Sequence, residues 1–298
     1  MRSKKRNNNG LKIFVSILAI LVIGILGYIY SIYANVKDSM DTAYTPVEVE
    51  TFRTSNTGTV ADSSEDEESR TNAGAMTPSE LLEAGEPVSI LLLGVDTGDL
   101  GRTEQGRSDS MVVVTINPHT QKTTLLSIPR DTYTEILGYG TSDKINHAYA
   151  FGGTAMSINT VQQMLDIPID FYVMVNMAGI QEIVDAVGGI TVESPLTFNQ
   201  NGYDFVQGTN QLDGEAALAF ARMRYEDPAG DTGRQGRQRL VIEAVIRKLA
   251  TPETLLNYQT ILQSLSSNVQ TSFQLSDFYT LQSQDYLGAV DNMNQQQL

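Results

Sequence analysis

Five arginines stand between positions 222 and 239, in Ala221-Arg222-Met223-Arg224-Tyr225 and in Gly230-Asp231-Thr232-Gly233-Arg234-Gln235-Gly236-Arg237-Gln238-Arg239. The chain around them is acidic: its 298 residues carry 20 Lys+Arg against 35 Asp+Glu, a formal net charge of −15 at pH 7. Such a molecule repels anions in general, so a site that holds one must gather cations locally. Arginine suits that task because its planar fork grips phosphate or carboxylate through two bonds at once. The cluster therefore predicts an anionic ligand. The stretch from Arg234 to Ala250 reads as a helix, with Asp231 or Thr232 placed to cap it. Arg234, Arg237 and Arg239 then occupy its first two turns, where the helix dipole disfavours cations unless a bound anion compensates. Free N–H groups at the same end already favour phosphate. Arg222, Arg224 and Arg234 are assigned to the anion. Arg237 and Arg239 are divided evenly between that role and ion pairs with Glu226, Asp227 or Glu243.

The elements that must position these groups are short apolar runs. Val88 to Val95 reads as a buried strand, Ser110 to Asn117 as a second and Thr123 to Ile128 as a third, joined by an Asn117-Pro118-His119-Thr120 turn. Tyr172 to Asn176 is a fourth, followed by a helix from Met177 to Val187, a Gly188-Gly189 stop and a short strand at Ile190-Thr191-Val192. Glu215 to Ala221 reads as another helix. Strands alternate with helices, so the class is an α/β sandwich. In an antiparallel meander of the first three strands, Asp96, Asp109 and Pro129-Arg130-Asp131 all fall at one sheet edge. Mg²⁺ favours one or two carboxylates completed by phosphate oxygens and water, and Asp96 with Asp109 would meet that need. Either aspartate alone is better read as a turn or strand-end cap; it is their convergence beside a diphosphate that favours metal.

Composition removes several chemistries. The chain has no Cys, which excludes disulfides, thiol nucleophiles and thiolate metal sites. His119 and His147 are its only histidines, too few for a His-rich zinc site. His119 sits in a turn, and His147 is structural or at most a contact to lipid or sugar. Trp is absent, which weakens readings that need an extended aromatic platform for sugars. No Gly-x-Ser-x-Gly elbow supports a Ser–His–Asp hydrolase. The negative balance argues against nucleic acid as a partner.

Residues 1–12 form a basic tail with Arg2, Lys4, Lys5, Arg6 and Lys12. The span 13–33 is uncharged and matches the ~20 residues that cross a bilayer as a helix. Its apolar run exceeds the roughly 7–15 residues of a signal-peptide core, and no small-residue cleavage site follows. Basic residues before the span and acidic ones after it place the N-terminus in the cytoplasm and the rest outside. Residues 34–86, with Asp62-Ser63-Ser64-Glu65-Asp66-Glu67-Glu68, read as an acidic, self-repelling spacer. The folded domain is expected over 87–298, with its motifs between 87 and 250.

The order of motifs resembles the LytR-CpsA-Psr proteins of Gram-positive bacteria. After the anchor come Leu93-Gly94-Val95-Asp96, Arg107-Ser108-Asp109-Ser110, Ser127-Ile128-Pro129-Arg130-Asp131 and Lys144-Ile145-Asn146-His147-Ala148-Tyr149. Val187-Gly188-Gly189-Ile190, Leu212-Asp213-Gly214-Glu215-Ala216-Ala217-Leu218 and the two arginine stretches follow. Each is weak alone; together and in order they are specific.

The resemblance implies a central mixed β-sheet sandwiched by helices behind a single transmembrane helix. It implies a phosphotransferase that moves a glycopolymer, teichoic acid or capsular polysaccharide, from a polyprenyl diphosphate carrier to peptidoglycan. The acceptor is generally a hydroxyl of N-acetylmuramic acid. By the same resemblance Asp96 and Asp109 hold Mg²⁺ (or Mn²⁺), and Arg130, Arg222, Arg224 and Arg234 grip the diphosphate. Asp231 and Gln238 support them, and the lipid lies in an apolar pocket beside the sheet. Asp96, Arg130 and Asp231 are the expected catalytic residues, with the proton acceptor open between Asp96 and Asp231. A hydrolase of lipid diphosphates and a non-catalytic regulator of envelope synthesis are the alternatives. The polymer, the acceptor position, the oligomeric state and the role of the Gln-rich tail from Gln282 to Leu298 stay open.

Overall fold

A computed structural model of the chain describes residues 43–47, 76–96, 106–251 and 268–298, with positions 34, 37, 41 and 261. The expected transmembrane span 13–33 and the acidic run 62–68 lie outside the described residues. Among those described, no helix is long and apolar enough to cross a membrane.

The described fold opens before Pro87, with α1 (Pro78–Glu83). Thr77 caps it in a reciprocal box with Glu80, and Pro78 supplies a preset first turn. Its Leu81 and Leu82 are buried in the core. At about 1.5–3 kcal/mol per buried leucine, that packing holds a helix too short to persist alone in water. Residues 43–47 also meet the domain: the Thr45 N–H donates to Thr271 O (2.8 Å) and the Tyr172 hydroxyl donates to Thr45 O (2.5 Å). Parts of the expected spacer are therefore pieces of the domain, because they carry caps and leucines that a purely acidic reading overlooks.

Strands β1 (Val88–Val95), β2 (Ser108–Asn117) and β3 (Lys122–Ile128) form the expected antiparallel meander. A hairpin of β4 (Tyr133–Ile136) and β5 (Thr141–Lys144) leads into α2 (His147–Leu165), which is broken at Gly152 and Gly153. Strand β6 (Phe171–Asn176) lies parallel to β1, and α3 (Met177–Ala186) follows with Asn176 as its cap. Strand β7 (Ile190–Ser194) stays outside the main sheet. It pairs with β10 (Gly208–Leu212), while β8 (Phe198–Gln200) and β9 (Tyr203–Phe205) form a hairpin of their own. Helices α4 (Gly214–Arg222) and α5 (Gly230–Leu249) precede β11 (Val269–Thr271), α6 (Leu275–Ser283) and β12 (Met293–Gln297).

The main sheet runs β11-β6-β1-β2-β3-β12, mixed in direction. One face packs Leu91, Leu93, Val95, Met111 and Val113 against Tyr149, Ile158 and Val161 of α2. The other packs Val88, Ile90, Val112, Val114 and Leu125 against α1 and against Ile242 and Ile246 of α5. A third cluster, centred on Phe198, Phe205 and Phe220, joins α3, α4 and α5 beyond the sheet. The result is the α-β-α sandwich that the alternation implied.

The Gln-rich tail is resolved as a structural part: β12 pairs in parallel with β3, from Met293 opposite Thr123 to Gln297 opposite Ser127. It gives no apolar alternation because an edge strand leaves most of its side chains to solvent. Deleting residues 293–298 bares the edge of β3, and should cost at least about 1 kcal/mol. By scanning calorimetry the midpoint is expected to fall by at least ~2 °C, with increased aggregation; an unchanged midpoint would show that the strand adds nothing.

Candidate functional site

Three strand ends build one half of the site. Gly94 pairs with Ser110 but Val95 pairs with Ser108, so Asp109 is the extra residue of a β-bulge. Bulges re-aim side chains, and this one brings Asp96 opposite Arg107. The Arg107 N–H donates to Asp96 Oδ1 (2.6 Å) and the Asp96 N–H donates to Arg107 O (3.2 Å). Gly94 permits the close approach, since a Cβ there would stand 3.0 Å from Ser110 Cβ. From the end of β3, Arg130 reaches back so that its Nη1 donates to Asp109 Oδ1 (3.1 Å). The three residues that the meander was expected to gather are indeed gathered.

Asp96, Arg107, Asp109, Arg130, Asp131, Lys144, Asn146 and His147 line a cleft of about 400 Å³. Asp131 accepts from Lys144 Nζ (2.6 Å), which holds its carboxyl below the usual range, Arg130 adding to the effect. His147 Nδ1 lies 2.7 Å from Asp143 Oδ2. Arg107, Lys144 and Asn146 were not singled out from sequence, although the motifs that contain them were.

The other half is carried by α5, which starts at Gly230 and not at Arg234. Asp231 and Thr232 are therefore inside its first turn, and Ala229 takes the cap position without a side-chain bond. That corrects the expected cap and gives Asp231 a different task. Its Oδ1 accepts from Arg234 Nε (2.9 Å) and its Oδ2 from Gln235 Nε2 (3.0 Å), with Arg224 Nε 3.9 Å away. Burial pushes the Asp231 carboxyl up, but Gln235, Arg234 and Arg130 hold it below the ordinary range. Burial likewise opposes the Arg130 charge, yet Asp109, Asp231 and Asp131 keep the guanidinium above its usual value. Asp231 and Arg130 thus feel each other's charge, and the sheet edge and the α5 terminus form one electrostatic unit.

Arg222, Arg224, Arg234 and Gln238 are not on the walls of the cleft. Arg222 ends α4 and Arg224 follows it, both exposed, while Arg234 is buried and Gln238 half-buried. Arg237 points the other way. It is fully buried, donates to Phe220 O (3.1 Å), to Met223 O and to Asp227, and sits over the Phe198 ring. Of its two sequence readings the ion pair holds, and Arg237 is no anion ligand.

Four buried guanidinium nitrogens have no hydrogen-bond partner among the described residues: Arg130 Nε, Arg234 Nη2, and Arg239 Nε and Nη1. Arg234 Nη2 lies 2.9 Å from Asp231 Oδ1 but forms no hydrogen bond to it. Burial lowers the Arg239 guanidinium. Leaving buried charged donors unmet is costly, roughly 1–3 kcal/mol each or more.

Fold and site together define an α/β protein whose sheet edge gathers arginines and carboxylates in one cleft. Residues 49–298 match the model of the LytR_cpsA_psr family, and the chain belongs to that family. It is 45% identical over 294 residues to a polyisoprenyl-teichoic acid–peptidoglycan teichoic acid transferase, TagU, of Enterococcus faecalis, covering 98% of this chain and 88% of that one. A TagU of Bacillus cereus is 44% identical over 278 residues, covering 93% and 83%. Among solved structures, B. subtilis TagU superposes with a TM-score of 0.57 at 41% identity, covering 72% of this chain and 84% of that one. TagT bound to LI-WTA superposes with a TM-score of 0.58 at 32% identity, covering 72% and 80%.

Proposed function

We propose that this chain is a phosphotransferase that moves a glycopolymer, teichoic acid by the names of its relatives, from a polyprenyl diphosphate carrier to peptidoglycan. The observation that carries the reading is a cleft at the sheet edge where Asp96 and Asp109 stand with Arg107 and Arg130, and where the Arg130 charge is coupled to Asp231 and so to Arg234 on α5. In the same proposal residues 13–33 anchor the chain in the cell membrane, with the N-terminus in the cytoplasm and the domain outside.

The reaction asks little covalent chemistry of the protein. An acceptor hydroxyl oxygen bonds to the phosphorus that carries the polymer, the bond from that phosphorus to the bridging oxygen breaks, and polyprenyl phosphate leaves. Positioning and neutralisation of charge dominate such steps. Arg130 and Arg234 supply rigid donors, with Arg222 and Arg224 at the open rim and Gln238 in support. The proton of the hydroxyl needs an acceptor. Asp231 is a weak base, because Gln235 and Arg234 occupy its oxygens and its carboxyl is held acidic. Asp96, on the cleft wall, is the other candidate, and its Oδ1 likewise accepts from the Arg107 N–H (2.6 Å).

Asp96 and Asp109 offer hard oxygen donors with no soft ligand near them, a set that fits Mg²⁺ or Mn²⁺ once diphosphate oxygens complete it. Among the described residues no group of three or more His, Asp or Glu is placed to hold a metal, so diphosphate oxygens and water would have to complete the set. The ion would supply charge neutralisation at the diphosphate.

The test is a titration of the full chain with Mg²⁺ or Mn²⁺ and a diphosphate analogue. Asp96→Ala combined with Asp109→Ala should abolish metal-dependent binding; normal binding by the double variant would remove the metal assignment. Supplying lipid-linked polymer with and without peptidoglycan tests the transfer itself. Release of free polymer regardless of acceptor would make the protein a hydrolase.

A further inference from the structure

Two aromatic rings beside the cleft are left to solvent. Tyr139 is 51% exposed and Phe151 is 37% exposed, yet the rings stack on each other, centroids 4.0 Å apart and 10° from parallel. Phe151 meets the His147 ring edge-on at 5.7 Å, and His147 lines the cleft. An unbroken path of rings therefore runs outward from the wall of the anion site.

The pair is held in place. Tyr139 stands at the tip of the β4–β5 hairpin between Gly138 (φ 82°) and Gly140 (φ 72°), a turn that side chains resist. Phe151 precedes the break in α2 at Gly152 and Gly153, where the second glycine has φ 65°. Met156 fills the angle: a Cβ on Gly152 would lie 2.6 Å from Met156 Cε, and one on Gly138 would lie 3.8 Å from it. The Leu137 N–H donates to Thr160 Oγ1 (3.2 Å), and Gln163 Nε2 to Glu135 Oε2 (3.3 Å), tying hairpin to helix. Preorganised exposed aromatics of this kind mark binding surfaces.

We infer that Tyr139 and Phe151 form a saccharide platform, on which the sugar joined to the bound diphosphate lays a C–H face of its ring. The inference rests on the diphosphate reading above. Aromatic faces carry negative charge density that attracts the positive hydrogens of a sugar, and they need no charged group to do so. The donor's saccharide is favoured over the acceptor's because its covalent bond to the diphosphate fixes it one ring from the cleft, where His147 and Phe151 stand. A membrane surface is disfavoured as the occupant, since Glu135 and Asp143 on the hairpin oppose anionic lipid. The absence of Trp told against an extended platform; two smaller rings stacked edge to cleft serve for one sugar.

The test measures binding of two probes to the full chain in detergent: farnesyl diphosphate, and farnesyl diphosphate carrying one N-acetylhexosamine. Tyr139→Ala and Phe151→Ala are expected to weaken the saccharide probe about tenfold, the size of a good aromatic contact, while binding of farnesyl diphosphate stays within about twofold. Tyr139→Phe, which keeps the ring, should bind both probes as wild type does, and retained farnesyl diphosphate binding shows that each variant is folded. Equal loss of both probes, or no loss of either, would overturn the platform. If wild type binds farnesyl diphosphate and the sugar adds nothing, only the platform fails. If wild type ignores farnesyl diphosphate, the diphosphate reading fails and the platform falls with it.

Discussion

Arg130→Ala is expected to lower transfer from lipid-linked polymer to peptidoglycan by about 10²–10³-fold, the usual cost of removing one preorganised donor from a charge-stabilising site. Arg130 is the joint between the two halves. Its Nη1 is committed to Asp109, its buried Nε faces Asp131 at 3.8 Å without a hydrogen bond, and Asp231 on α5 contributes to holding its charge. Losing it removes a donor for the diphosphate and leaves Asp109 without the cation that positions it. Arg130→Lys should recover little, because an ammonium is a point charge that cannot bond Asp109 and a phosphate oxygen with a fixed fork. The readout is steady-state transfer together with affinity for a diphosphate analogue. The thermal midpoint should stay near wild type, since the pair is about a quarter exposed and partly solvated. Transfer within about threefold of wild type would show that the anion is held elsewhere.

How much of this site was readable in the sequence depends on which physical quantity each residue reports. Strands β1 to β3 were readable because buried runs of Leu and Val have no other stable use, and their directions then carried Asp96, Asp109 and Arg130 to one edge. The bulge at Asp109 was not, since a one-residue shift in register leaves no mark on composition. Arg234 and Arg237 are three apart on one helix, yet one turns to Asp231 and the other to the carbonyls of α4. Residue type alone gives both the same reading; the direction of each follows from the helix starting at Gly230, a start that lacks a side-chain cap to announce it. Thr77-Pro78-Ser79-Glu80 did announce α1, and was masked by the acidic run before it. Tyr139 and Phe151 stand on successive elements, the hairpin that ends at Lys144 and the helix that begins at His147, so their stacking is a product of the hairpin and the broken helix together.

Asp227→Ala should produce the largest loss of stability, about 3–5 kcal/mol, by leaving Arg237 charged and uncompensated in the interior. Arg237 has no exposed surface in its side chain and Asp227 has 3%. With neither partner near solvent, water cannot take the place of the lost carboxylate, and the remaining donations to Phe220 O and Met223 O carry no negative charge. For a domain of this size the thermal midpoint would fall by roughly 6–20 °C. Asp227→Leu combined with Arg237→Met should restore most of the loss, because an apolar pair of similar volume has no charge to bury. If the double variant is as unstable as the single one, packing and not charge explains the effect. Burial pushes the Asp227 carboxyl up, but the Arg237 bond, the Ala229 N–H and the Arg237 charge hold it below its ordinary range. A lowered folded value means stability that is complete above the unfolded value near pH 4 and lost as pH falls through the folded one, so wild type should be acid-sensitive there and the double variant less so. The same pair bears on function. Asp227 also accepts from the Ala229 N–H (2.7 Å), and a Cβ on Gly233 would fall within 1.8 Å of its Oδ2. The carboxylate therefore fixes the turn between α4 and α5, and with it the relation of Arg222 and Arg224 on one side to Asp231 and Arg234 on the other. Below its lowered midpoint, Asp227→Ala is expected to weaken diphosphate binding as well, although Asp227 lies outside the cleft.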